Sequence, residues 1–158
     1  MDRFEPQTVT ALFVLATLVA TGPLVGVGAF EPRATTIGDG TASVGGVHVD
    51  TTQFRVTDGR FGTAVPYLRV PDASVTVDAV TGRPRLLYQI SIPRLDASMT
   101  SERVFSTAGT YRLAPGDRAL EPSSVGRERY NGTVRITVQS FEATETVYDE
   151  NVTVAVIE

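Results

Sequence analysis

The chain has 158 residues, with 18 acids against 14 basic residues and one histidine, for a net charge of −4. That is not a nucleic-acid-binding balance, which would need a clustered positive surface. The absence of cysteine excludes disulfides and thiolate metal sites, and a single histidine excludes a multi-histidine metal centre.

Residues 8–30 run for 23 positions without a charged side chain. As a helix rising about 1.5 Å per residue they span roughly 35 Å, enough for a hydrocarbon core of about 30 Å. Gly22-Pro23 interrupts the run, a break that spanning helices tolerate better than soluble ones. Two readings share these residues. One is an uncleaved signal-anchor. The other is a cleaved secretory signal with its apolar core at 11–20, where Val27-Gly28-Ala29 places cleavage after Ala29. Residues 1–7 set Arg3 against Asp2 and Glu5, a weak positive flank for a secretory signal, and no twin arginine is present. We read 8–30 as a transmembrane anchor, with the N-terminus inside and the rest of the chain outside. The lipid bilayer is then the expected partner of this segment. Residues 31–40 hold Pro, Gly and polar side chains and read as a linker, leaving 41–158 as one domain.

Strand signals follow one another through that domain. In 42–49, Val47 and Val49 share one face while His48 and Asp50 share the other. Phe54 and Val56 alternate in 53–57. A short strand at 67–70 stops at Pro71. Residues 75–80 alternate, Thr81-Gly82 fits a turn, and 85–92 return with Leu86, Tyr88, Ile90 and Ile92 on one face, which predicts a hairpin. Residues 96–108 are expected to hold a short helical turn capped by Ser98 or Thr100, with Val104 and Phe105 inside. A short strand is expected at 110–113 and a loop around Pro122-Ser123-Ser124. Val134, Ile136 and Val138 alternate through 133–141, and Val152, Val154 and Val156 alternate to the C-terminus. A further strand at 143–148 would form a hairpin with its predecessor or its successor.

Period-two alternation means one buried face and one wet face per strand. Two such sheets bury their apolar faces against each other. The expected fold is therefore all-β, a single sandwich of about seven to nine strands after one N-terminal transmembrane or signal helix. A small barrel is the alternative. Strand number and length resemble the immunoglobulin-like class, although its Cys–Trp–Cys signature is absent because the chain has neither residue type.

Every one of the 14 basic residues is arginine, and threonine and valine are abundant. With the missing cysteine and the mild acidity, this composition resembles exported or membrane-anchored β-sandwich proteins of halophilic archaea. The resemblance is compositional and rests on no family motif. The two asparagines both sit in N-glycosylation acceptor triplets, Asn131-Gly132-Thr133 and Asn151-Val152-Thr153. Serine and threonine fill 30 of 158 positions, so composition alone produces this pair about one time in 28. Asn131 and Asn151 are read as glycosylation sites on an exposed face, in agreement with export.

Catalytic and metal signals are weak. His48 beside Asp50 could be a base with its orienting acid, but no Gly-x-Ser-x-Gly elbow accompanies it, and a solvent-facing strand histidine is the simpler reading. Asp39, Asp58, Asp117, Asp149 and Glu150 are candidate calcium ligands without the D-x-D-x-D-G loop, and read as solvated surface. The turns Gly59-Arg60-Phe61-Gly62 and Gly82-Arg83-Pro84-Arg85 could meet acidic glycans or headgroup phosphates, and otherwise are turns with soluble tips. Tyr67, Tyr88, Tyr111, Tyr130 and Tyr148 read as packing. No cofactor is expected. The expected function is a membrane-anchored extracytoplasmic module that binds or scaffolds in the cell envelope, with no enzymatic activity. Alternatives are a soluble domain secreted after Ala29, a filament subunit, and a hydrolase with a carboxylate pair that need only meet in space. Archaeal pilins carry a cationic residue and glycine ahead of their apolar helix, where Glu5-Pro6-Gln7 stands here.

Overall fold

A computed structural model describes residues 36–59 and 65–157. The apolar segment 8–30, the cleavage position after Ala29 and the Arg60-Phe61 turn lie outside the described residues. No helix among the described residues is long and apolar enough to cross a membrane.

The described chain is all-β. Its strands are β1 (Gly40–Val49), β2 (Arg55–Asp58), β3 (Pro66–Arg69), β4 (Ala73–Gly82), β5 (Arg85–Ile92), β6 (Ala97–Val104), β7 (Gly109–Leu113), β8 (Arg118–Ala119), β9 (Arg129–Gln139) and β10 (Thr144–Ile157). Ten strands exceed the seven to nine expected, and the two-residue β8 is too short to show a period. One sheet has the order β1-β4-β7. The other has the order β6-β5-β9-β10-β2-β3-β8. All neighbours are antiparallel except β10 and β2, which run parallel with Ala155 beside Arg55.

Both sheets feed one core. Val49, Val75, Val77 and Leu113 from the smaller sheet join Leu86, Tyr88, Ile90, Val134, Ile136, Val152 and Val154 from the larger in a single buried cluster. The alternation that marks these positions also leaves Arg135, Thr133, Asn131, Asn151 and Thr153 exposed on the other face. Each large side chain so buried contributes about 1.5–3 kcal/mol.

The hairpin expected between 75–80 and 85–92 does not exist. β4 pairs with β1 and β7, whereas β5 pairs with β6 and β9. Thr81-Gly82 is a corner where the chain leaves one sheet for the other. Gly82 has φ +69°, and a Cβ there would run into the carbonyl of Asp39, so glycine is required for both reasons. Pro84 has no N–H to offer a ladder, and its carbonyl accepts instead from the Phe105 N–H at 3.2 Å.

Residues 97–104 form β6 in place of the expected helical turn. Ala97 is buried and Met99 half-buried, while Ser98, Thr100 and Glu102 are exposed, which is a period of two. A 3-10 turn falls just before, at Pro93–Leu95, and Asp96 closes it in the left-handed region at φ 47°. Finally, 143–148 and 152–156 are one strand. β10 pairs with β9 from Thr144 to Ala155, with a bulge between Thr146 and Tyr148, so the hairpin joins β10 to its predecessor.

Candidate functional site

The two acceptor triplets meet on neighbouring strands. In the β9–β10 pairing Asn131 faces Thr153, Gly132 faces Val152 and Thr133 faces Asn151. Both asparagines and both threonines are exposed, on the outward face of the larger sheet. Each asparagine therefore stands directly across from the threonine of the other triplet. The middle residues point inward. A Cβ on Gly132 would lie 2.8 Å from Ile92 Cγ1 and 2.8 Å from the Ser91 carbonyl oxygen, so glycine lets β9 approach β5 closely here.

The same face continues in polar rungs. Arg135 donates to Asp149 at 2.7 and 3.0 Å. Such exposed pairs contribute about 0–1 kcal/mol, so they order the surface more than they stabilise it.

Beyond Asn131, at the end of β9 where the strand begins, lies a cleft of about 310 Å³ lined by Pro93, Arg94, Arg127, Arg129, Tyr130 and Asn131. Three arginines line it and no acidic residue does. None of the three takes part in a salt bridge among the described residues. By contrast Arg69, Arg85, Arg112 and Arg135 are paired with Asp117, Glu102, Asp72 and Asp149. Planar guanidinium forks suit carboxylate, sulfate or phosphate oxygens, so this cleft can accept an anionic group.

Tyr130 gives that end its rigidity. Its hydroxyl donates to the Ser124 carbonyl at 3.2 Å and accepts from the N–H groups of Gly126 at 2.8 Å and Arg127 at 3.1 Å. The buried phenol thus fixes the loop that carries Arg127. Arg94 reaches the same cleft from the Pro93–Leu95 turn after β5, because β5 and β9 are neighbours. Sequence reasoning did not join Arg94 to Arg127 and Arg129. Only strand pairing brings them together, and the sequence held no signal for that pairing.

The other candidates separate. His48 is exposed, opposite Ser74 on β4, and lines none of the clefts at the Arg94 end. Asp50 is occupied locally: it accepts from the Gln53 side chain at 2.7 Å and from the Thr52 N–H at 3.1 Å, capping the Thr51–Gln53 turn. Hydrogen bonds from the Thr52 side chain, then from Gln53, hold its carboxyl below the usual range. Asp117 pairs with Arg69 and Asp149 with Arg135. Among the described residues no group of three or more His, Asp or Glu is placed to hold a metal ion.

The tyrosines pack. Tyr88 is buried and donates to the Pro71 carbonyl at 3.1 Å. Tyr111 packs against Phe105 at a tilt of 49° with centroids 5.2 Å apart, and the Arg69 and Arg103 guanidiniums sit 5.5 Å over Tyr67 and Tyr111. Burial pushes the Tyr148 phenol up to about 12, with Glu150 adding to the shift. No family model, no curated protein and no solved structure matches the chain.

Proposed function

We propose that this chain is a membrane-anchored extracytoplasmic module that binds or scaffolds in the cell envelope, built on an immunoglobulin-like sandwich and glycosylated at Asn131 and Asn151. The strand order supports the fold reading. β1, β4 and β7 stand where the class has A, B and E, and the consecutive neighbours β6, β5, β9 and β10 stand where it has C′, C, F and G. Tyr130 supports it independently. It lies at the start of the strand in the F position and bonds back to the backbone of the preceding loop, the arrangement of a tyrosine corner. Gly132, two residues on, occupies the place of the second cysteine in the disulfide-bonded members.

The observation that carries the functional reading is the register of the two triplets. The chain's only asparagines fall on one exposed patch, each opposite the other's threonine. Glycosylation of that patch requires passage out of the cytoplasm, and residues 8–30 supply the route and the anchor. The arginine cleft beside Asn131 supports binding of an anionic partner at the same end. The test is expression of the full chain and of Asn131→Gln, Asn151→Gln in the native host, followed by fractionation. The reading requires the wild-type chain in the membrane fraction with reduced gel mobility, and faster migration of the double variant. Identical migration of both in the cytosolic fraction would overturn it.

A further inference from the structure

We propose that the end of the domain carrying Ile37, Arg83 and Phe141 rests on the lipid bilayer, with the Phe141 ring inserted at the headgroup level. The inference rests on the reading of 8–30 as an anchor and adds an orientation to it. Phe141 sits in the turn between β9 and β10 and is 69% exposed, and Ile37 is 50% exposed. A tight turn usually carries Gly, Asn, Asp, Ser or Pro at its tip, so an outward phenylalanine here runs against turn chemistry.

Backbone hydrogen bonds hold these residues in one platform. The Phe141 N–H donates to the Gly38 carbonyl at 2.7 Å, and the Gly38 N–H donates to the Arg83 carbonyl at 2.8 Å. The Arg83 N–H donates in turn to the Asp39 carbonyl at 2.7 Å. The turn closes on itself through the Ser140 N–H to the Ala143 carbonyl at 2.8 Å. The Phe141 ring lies over Gly38 rather than in the core. The apolar tip is therefore fixed outward.

Chain length selects lipid as the occupant. Residues 31–35 separate Phe30, the last residue of the apolar run, from Thr36. Six Cα steps reach at most about 20 Å, so this end of the domain cannot leave the neighbourhood of the interface. A short tether makes the contact effectively intramolecular. Phenylalanine and aliphatic side chains bury into the boundary between headgroups and acyl chains, and an arginine beside them can reach headgroup phosphates. Asp39 and Glu142 also lie at this end, which leaves the contact to the apolar side chains and Arg83 rather than to net charge. The exposed Ile157 lies at the opposite end of the β9–β10 ladder, where Ala155 pairs with Arg129.

The chain contains no tryptophan, so a single substitution gives a unique probe. Full-length Phe141→Trp and Ile157→Trp proteins, each at an exposed site, are reconstituted into phosphatidylcholine vesicles whose acyl chains are brominated near the headgroup. The proposal predicts blue-shifted emission and at least about twofold quenching for Phe141→Trp, as for a ring buried about 5–10 Å into the headgroup boundary, with neither effect for Ile157→Trp. Water-like, unquenched emission from Phe141→Trp in protein that floats with the vesicles would overturn the contact and leave the anchor standing. Equal quenching of both probes would also overturn it. Protein that does not float with the vesicles would overturn the anchor reading itself.

Discussion

Tyr130 places one phenolic oxygen against three backbone groups, and all three belong to the loop that carries Arg127. Tyr130→Phe keeps the ring and strands two N–H groups. We expect a loss of about 1–3 kcal/mol, seen as a lower urea midpoint at unchanged slope. An unchanged midpoint would mean that water replaces the hydroxyl without penalty. Ile136 and Arg135 are sequence neighbours on opposite faces, the first fully buried and the second exposed. Ile136→Ala should cost about 2–5 kcal/mol, whereas Arg135→Ala should stay within about 1 kcal/mol. Comparable losses in urea melts would contradict the assigned faces.

Tyr88 carries a pH dependence. Burial, then the charges of Tyr148 and Asp72, raises its phenol above the ordinary value of 10.0. The unfolded chain therefore gives up this proton first as pH rises. The stabilising contribution is complete below pH 10.0 and is lost as pH climbs toward the higher folded value. Tyr88→Phe loses the bond to Pro71 at neutral pH but has no proton to release. Its stability should fall less steeply above pH 10.0 than that of the wild type in alkaline unfolding followed by circular dichroism. A steeper fall in the variant would contradict the direction of the shift.

At the scale of elements, period two was legible and partnership was not. Val75 and Val77 alternate as cleanly as Leu86, Tyr88 and Ile90, and both sets are buried. Alternation reports a face, and facing strands of two sheets satisfy it as well as adjacent strands of one. The β4–β5 hairpin was the wrong choice between those two solutions, and the missing donor at Pro84 was the clue. The helical turn expected over 96–108 does not form, because Ser98 and Thr100 are the wet face of β6 and not caps. The two strands expected at 143–148 and 152–156 are one, and Asp149 and Glu150 lie within it beside Arg135 and Val134. The acceptor triplets were readable as motifs, but their mutual register depends on a 140–143 turn whose length sets the pairing. That register has a consequence. Asn131 and Asn151 are diagonal neighbours, about 7–8 Å apart on one face, so two glycans crowd each other. Occupancy should be anticorrelated, and Asn131→Gln should raise occupancy at Asn151 in glycopeptide mass spectrometry. Full and independent occupancy at both sites would contradict this.

For the whole molecule, the two ends of the β9–β10 hairpin differ in chemistry. One presents Ile37 and Phe141, the other the cleft of Arg94, Arg127 and Arg129. β9 alone, at 11 residues, separates them by about 35 Å. An anchored module with its apolar end down would hold the arginines away from the membrane, where an anionic partner can reach them. The three-arginine cleft was invisible in the sequence because Arg94 and Arg127 meet only through the β5–β9 pairing. The proposed compartment rests on the sequence alone, on an uncharged run and two asparagines in acceptor triplets. The intact mass of the protein extracted from native membranes tests that compartment most directly. A chain that retains residues 1–30 and exceeds the sequence mass by glycan on Asn131 or Asn151 is the predicted result. A chain of unmodified sequence mass, recovered from the cytosol without detergent, would contradict it.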